Sequence, residues 1–171
     1  LATSMISRET RMDWKKILSA IERGAKGSLL VAICCASAGL ITGAIAMAGM
    51  VGKQGKIIAV DLQEEMLEHV KRKAQAKNLS DRIHFHHCEQ DRLGLEVNEK
   101  ADFMLAYYMV HELPNPGAFF QEVRPLLKTG GKFLVVEPKW HVTQAKYEEM
   151  LTLAEKAGFR ILTFPKKKGG R

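Results

Sequence analysis

Residues 28–51 read SLLVAICCASAGLITGAIAMAGMV and carry no charge. An uncharged run of this length constrains the fold more than any other stretch, because it has two physical outcomes. As one helix, at about 1.5 Å per residue, it would reach about 36 Å, enough to cross a hydrocarbon core of about 30 Å. As two pieces it would be a buried strand followed by a buried helix. Cys35, Gly39 and Gly43 recur at every fourth position, a small-residue spacing known from helix packing in membranes. The rest of the chain has to decide.

Downstream, two hydrophobic periods alternate. KIIAVDL (56–62) is a short β-branched run ending at an acid, which predicts a buried strand. QEEMLEHVKRKAQAKN follows at helical period, with Met66, Leu67, Val70 and Ala74 on one face. Glu64 and Glu65 suit its amino end, and Lys71, Arg72 and Lys73 its carboxyl half. RIHFHHC (82–88) predicts a strand, and ADFMLAYYMV (101–110) begins as one. NPGAFFQEVRPLL predicts a helix that Pro125 kinks or ends. TGG (129–131) is a turn signal before a further strand, KFLVVEP (132–138). A helix follows over 143–158, capped by Thr143 and stopped at Gly158, with Tyr147, Met150, Leu151 and Ala154 as its apolar stripe. FRILTF (159–164) is the last strand expected. Ahead of the uncharged run, residues 1–10 read as an irregular lead. A helix is expected within 11–27, with Trp14, Ile17, Leu18 and Ile21 on one face.

Strands alternating with helices at this spacing predict a doubly wound α/β fold with a mostly parallel sheet. Such a sheet needs a central strand, or the strands at 57–60 and 103–106 keep bare edges. LLVAICC (29–35) is the run available to fill that place, with 40–51 as the covering helix. The soluble reading of the uncharged run is therefore preferred. The expected strand order is 3-2-1-4-5-6, with residues 1–27 as a lead and helix and 28–171 as the α/β domain. Ligands of such sheets sit beyond the carboxyl ends of the strands. The candidates are Asp61, Glu89, Gln90, Tyr107 and Glu137.

Composition narrows the class. At 46% hydrophobic and 26% charged, the 171 residues suit one globular domain. Cys34, Cys35 and Cys88 form neither an even framework nor a C-x-x-C pair, which suits a reducing, cytoplasmic setting. The first apolar run starts too late for a secretory leader. A net charge of +7 is read as a solvated basic surface, partly the KKKGGR tail, and no nucleic-acid partner is expected. In HFHHC, strand alternation puts His84 and His86 on one face and Phe85 and His87 on the other. No third ligand is evident, so no metal is expected.

Four segments in order, GKIIAVDLQEEML, HCEQDRL, ADFMLAYYMVHELPNPGAFFQEVRPLLKTGG and KFLVVEPKWHV, resemble a class I S-adenosylmethionine-dependent methyltransferase. The branch they resemble is the small-molecule one that includes the quinone-biosynthesis enzymes, a Rossmann-like fold. The resemblance implies S-adenosyl-L-methionine as cofactor and methyl transfer to a small-molecule acceptor. Asp61 would hold the ribose hydroxyls, although an acid there also suits a helix amino end. Glu89 and Gln90 would meet the adenine, or form a solvated loop. Leu62 and Tyr107 would line the cofactor pocket, Tyr107 being equally suited to plain core. His111 would be a general base or a structural histidine. Glu112, Glu137 and His141 would stand on the substrate side.

The family's first strand ends in an acid and enters a loop of the form acid-x-Gly-x-Gly-x-Gly. Here that register falls on residues 35–41: Cys35 replaces the acid, Ser37 the first glycine and Ile41 the third, while Gly39 is kept. Gly39 precedes Asp61 by 22 residues, close to the spacing of about 20 in nucleotide-binding βαβ units. Ser37 and Gly39 would meet the methionine part of the cofactor. Residues 1–50 also resemble a segment of the fused permease subunit of TRAP transporters. The family's usual last strand is expected to be missing. The alternatives are a methyltransferase-like binding module with impaired catalysis, and a chimera with a membrane segment at 1–50 that touches a bilayer through 28–51.

Overall fold

The computed structural model describes residues 3–9, 29–34, 37–96, 98 and 100–162. The helix expected within 11–27, Cys35 and Ala36 of the expected glycine loop, and residues 163–171 lie outside these.

The uncharged run divides in two. Leu29–Cys34 is a strand, β2, and Ser37–Met50 a helix, α1. β1 (Thr3–Glu9) precedes them. After them come β3 (Lys56–Asp61), α2 (Glu64–Ala76), β4 (Ile83–His87) and β5 (Ala101–Tyr107). Then follow α3 (Pro116–Val123), β6 (Leu127–Pro138), α4 (Gln144–Lys156) and β7 (Arg160–Leu162). Among the described residues no helix is long and apolar enough to cross a membrane. The run is therefore not one continuous helix: β2 pairs in parallel with β3 on one side and β5 on the other.

All strand pairs are parallel, in the order β4-β3-β2-β5-β6-β1-β7. The six expected strands keep their expected order. The correction lies at residues 3–9, which are a seventh strand and no irregular lead. β1 is inserted between β6 and β7, with Met5 in register with Leu134 on one side and Leu162 on the other.

Alternation along each strand feeds two cores. Ile57, Ala59, Phe103, Leu105, Leu134 and Val136 face α1 and α2. Val60, Met104, Ala106, Phe133 and Val135 face α3 and α4. On the first face Ala44, Met47 and Ala48 of α1 meet Leu67, Val70 and Ala74 of α2, the stripe read from the sequence. Arg82 donates from Nη1 to the Ala48 carbonyl (3.1 Å), placing a cation at the carboxyl end of a helix that has none of its own. On the second face Phe120 and Phe133 are fully buried, and both rings lie edge-on or tilted to Phe159 at 6.1 and 5.6 Å. Each such ring contributes about 1.5–3 kcal/mol through burial.

Local signals explain the ends. Thr143 Oγ1 accepts from Lys146 N (3.3 Å) and Gly158 takes φ +89° past α4, as expected. Asn115 caps α3 through Ala118 N (3.0 Å), and Pro125 turns its end into one 3-10 turn. The turn expected at 129–131 is a bulge within β6. Ala101 pairs with Leu127 but Phe103 pairs with Lys132, so extra residues loop out. Gly130 takes φ +79° there.

Candidate functional site

The strand order reverses between β2 and β5, so the crevice opens at the carboxyl edge beside β2, where β3 also ends. Asp61 closes β3 there with 1% of its surface exposed. Its Oδ1 accepts the Gln63 N–H (2.8 Å), which starts α2, so one oxygen serves the helix amino end. Its Oδ2 is buried and has no hydrogen-bond partner. Burial pushes the Asp61 carboxyl up to about 6, against the pull of the Gln63 and Leu62 N–H groups and the His87 ring. An acceptor oxygen without a donor costs about 1–3 kcal/mol, and a ligand hydroxyl is the group that would satisfy it.

Asp61, Leu62, Glu89, Gln90 and Glu112 share one cavity. The structure thus brings together five of the residues singled out in the sequence. The loop after β4 forms one wall. It starts with the Cys88 N–H on the Asp61 carbonyl (3.1 Å), turns through Glu89 N–H to Arg92 O (3.0 Å), and leaves through Gly94 at φ +59°. α3 forms the facing wall, with Asn115, Phe119 and Glu122 on one helical face. Cys88 also borders the cavity. Burial first, and the Asp61 charge second, push its thiol up to about 11, so it stays protonated at neutral pH.

Tyr107 is not among the cavity residues. It is buried at the end of β5, stacked on Tyr108 with ring centroids 4.0 Å apart. Tyr108 takes φ +51°, a left-handed conformation costly for a bulky residue. Its N–H reaches Val136 O (2.9 Å), so the strained residue keeps β5 tied to β6 while the chain turns into the segment carrying His111.

His111 and Glu137 form a pair. Glu137 is fully buried; its Oε1 accepts the Val110 N–H (3.0 Å) and its Oε2 the His111 Nδ1–H. The hydrogen bond to Glu137 raises the His111 pKa above its usual value, against burial. His111 Nε2 lies 3.8 Å from Glu112 Oε1, at the border of the first cavity. His141 stands edge-on to the His111 ring at 5.0 Å, and Trp140, 73% exposed, edge-on to His141 at 5.6 Å. His111 also borders a second cavity, between α3 and α4, whose walls include Val142, Met150 and Leu153, with Lys146 among them. Leu113 lines both cavities.

Ser37 and Gly39 fall in the first turn of α1, so residues from 37 onward are helix and not the expected loop. With glycine lost at 37 and 41, the backbone freedom such a loop needs is gone, and residues with ordinary helix propensity continue the helix. The histidines of HFHHC act locally. His86 Nε2 meets Leu93 O and His87 Nε2 meets Leu62 O, each at 2.8 Å. Glu122 was not legible in advance. Its carboxylate accepts from Leu93 N (3.0 Å) and Gly94 N (2.7 Å), a contact made by tertiary folding alone.

Residues 2–156 match the ubiE/COQ5 methyltransferase family. The chain is 30% identical over 134 residues to demethylmenaquinone methyltransferases of Bacillus cereus and Bacillus anthracis, covering 78% of this chain and 54% of theirs. It thus spans about half the length of these curated relatives. Among solved structures, a SAM-dependent methyltransferase from Aquifex aeolicus superposes with a TM-score of 0.69 at 23% identity, covering 85% of this chain and 79% of that one. A SAM-dependent O-methyltransferase from Thermotoga maritima gives 0.61 at 20%, covering 86% and 52%. The [4+2]-cyclase SpnF gives 0.66 at 18%, covering 88% and 61%. That last likeness limits what the fold alone says about chemistry.

Proposed function

The chain belongs to the ubiE/COQ5 methyltransferase family, and from that premise we propose that it moves a methyl group from S-adenosylmethionine to a small ring bearing an acidic hydroxyl, of the demethylated quinol kind. The observation that carries this reading is the Asp61 Oδ2 atom, buried at the strand end without a donor. A ribose hydroxyl would supply that donor. Leu62 would border the ribose, and Glu89 and Gln90 the adenine. Ser37 and Gly39, in the first turn of α1, would border the methionine part. When bound, the sulfonium supplies a methyl already activated for displacement, so no metal is required.

The chain's own share is positioning and proton handling. The His111 Nδ1–H is given to Glu137, which leaves Nε2 to take the proton of the acceptor hydroxyl. Glu137, fully buried, steadies the imidazolium that results. The second cavity, bordered by His111 and walled by Leu113, Val142, Met150 and Leu153 with Lys146 and Glu149, would take the acceptor ring, and Glu112 and His141 lie beside the base. The reducing cytoplasm, where a quinol is stable, fits the odd cysteine count.

A second reading has its own observation: residues 37–41 are helical where the family has a glycine loop. On that reading the fold binds a ligand without turning it over. Calorimetric titration with S-adenosylhomocysteine, followed by turnover with a demethylated menaquinol, separates the two. Binding with turnover supports the first reading. Binding without turnover supports the second, and no binding at millimolar ligand sinks both.

A further inference from the structure

We propose that Glu122 is a positioning residue for the cofactor, acting through the loop at 88–94. This rests on the reading of the first cavity as the S-adenosylmethionine site. Asp61, the ribose-side acid, ends β3, and the strand beside it on the outer side is β4. A base attached to that ribose therefore meets the loop leaving β4, whose residues Glu89 and Gln90 border the same cavity.

That loop has little of its own to hold it. Most of 88–94 is exposed, Leu93 being the buried exception. One backbone turn closes it, from Glu89 N–H to Arg92 O. What fixes its far end is a clamp from two other elements. Glu122, in the last turn of α3, accepts from the N–H groups of both Leu93 (3.0 Å) and Gly94 (2.7 Å). His86, on β4, reaches the Leu93 carbonyl from Nε2 (2.8 Å). Leu93 is thus held at its N–H by Glu122 and at its carbonyl by His86. A carboxylate accepting two backbone N–H groups forms charge-assisted bonds, stronger than neutral ones. Gly94 at φ +59° turns its N–H into reach of the carboxylate.

The clamp has a consequence beyond holding a loop. Glu122 shares one face of α3 with Asn115 and Phe119, which line the cavity, and α3 follows the segment that carries His111. The adenine wall and the acceptor wall are therefore tied through one side chain. Loosening it should weaken cofactor binding and leave proton transfer at His111 intact.

The test uses the full chain with Glu122→Gln and Glu122→Asp, and His86→Phe as a second arm. Hydrogen exchange reads the clamp directly, without any ligand: the Leu93 and Gly94 amides should exchange at least tenfold faster in E122Q, with α2 and β5 unchanged. S-adenosylhomocysteine affinity should fall about tenfold in E122Q and less in E122D, while the acceptor KM and the pH profile of kcat stay put. Unchanged exchange overturns the clamp. Faster exchange with unchanged affinity overturns its cofactor role. Wild-type protein that fails to bind S-adenosylhomocysteine overturns both the cofactor role and the reading of the cavity, whereas the exchange arm still decides whether the clamp exists.

Discussion

His111, in the turn that follows β5, is paired with Glu137, near the end of the neighbouring β6: the buried Glu137 carboxylate takes the His111 Nδ1–H with one oxygen and the Val110 N–H with the other. This fixes both ring orientation and tautomer, the role such an acid plays beside a catalytic imidazole. The pairing raises the His111 pKa. Activity that needs neutral Nε2 therefore rises with pH through a value above the usual 6.5. Glu137→Gln removes the charge, so that limb should shift toward acid and kcat should fall about 10–100-fold. His111→Gln should cost about 100–10,000-fold. A pH–rate profile of the three proteins checks this; identical profiles for wild type and E137Q would falsify the pair's role.

The same pair sets a stability trend. A histidine whose folded pKa is raised stabilises fully below its unfolded pKa, and that gain is lost as pH rises through the folded value. Chemical denaturation of wild type should show this decline from about pH 6.5 upward, and His111→Gln should lack it.

Asp61 changes stability with pH in the same direction for a different reason: burial, not a partner, shifts it, and it is the charged form that is penalised. Its carboxyl titrates at about 6 when folded and at 3.8 when free. Between these values the folded state holds more protons than the unfolded one, so stability falls as pH rises through that window and stays lower above it. At roughly 1.4 kcal/mol per pH unit the ionised carboxylate costs up to about 3 kcal/mol at neutral pH. Asp61→Asn keeps an acceptor for Gln63 N–H and removes the charge. It should stabilise the ligand-free chain at pH 7 by about 1–3 kcal/mol and weaken S-adenosylhomocysteine binding at least tenfold. A denaturant series beside calorimetry reads both; loss of stability together with intact binding would contradict the ribose assignment.

Much of this fold was legible, for a local reason. Ile57–Val60 and Phe103–Ala106 are apolar on both faces, and only a strand between them could cover their edges, which picked out β2. β1 was not legible, since TSMISRE offers few apolar residues and its partners lie 129 and 157 residues downstream (Met5 with Leu134 and Leu162). The strand-end rule named Asp61, Glu89, Gln90, Tyr107 and Glu137, of which Tyr107 is outside the cavity bordered by Asp61, Glu89 and Gln90; His111 entered through the family resemblance. Neither revealed that His111 and Glu137 touch, because that follows from β5 lying beside β6. Glu122 had no local mark at all: a glutamate late in an amphipathic helix is ordinary until a loop from 28 residues away lands on it.

The helical start of α1 allows a direct test of the altered glycine register. Ile41 is half-buried against the α1 and α2 core, and Ser37 lies in the first turn. Restoring the family's glycines with Ser37→Gly and Ile41→Gly costs about 1 kcal/mol of helix propensity per site. The lost Ile41 side chain adds about 1–2 kcal/mol for a partly buried position. The double variant should melt at least 5 °C lower. If the first turn reopens as a loop, S-adenosylhomocysteine should bind more tightly despite that loss. Lower stability with weaker binding would mean that α1 serves the ligand as a helix.

The second cavity gives the acceptor its own readout. Leu153 borders it from α4 and is not among the residues that line the first cavity. It is half-buried, so Leu153→Trp can place its added volume into the cavity without displacing the sheet. A ring acceptor seated there would be crowded out: its KM should rise about tenfold, with S-adenosylhomocysteine affinity unchanged because Asp61, Glu89 and Gln90 are untouched. His111 would keep Glu137, so the pH at which kcat rises should not move. A parallel fall in both affinities would mean that the two cavities are one site, and an unaltered acceptor KM would move the acceptor elsewhere on the rim, toward Glu112 and His141.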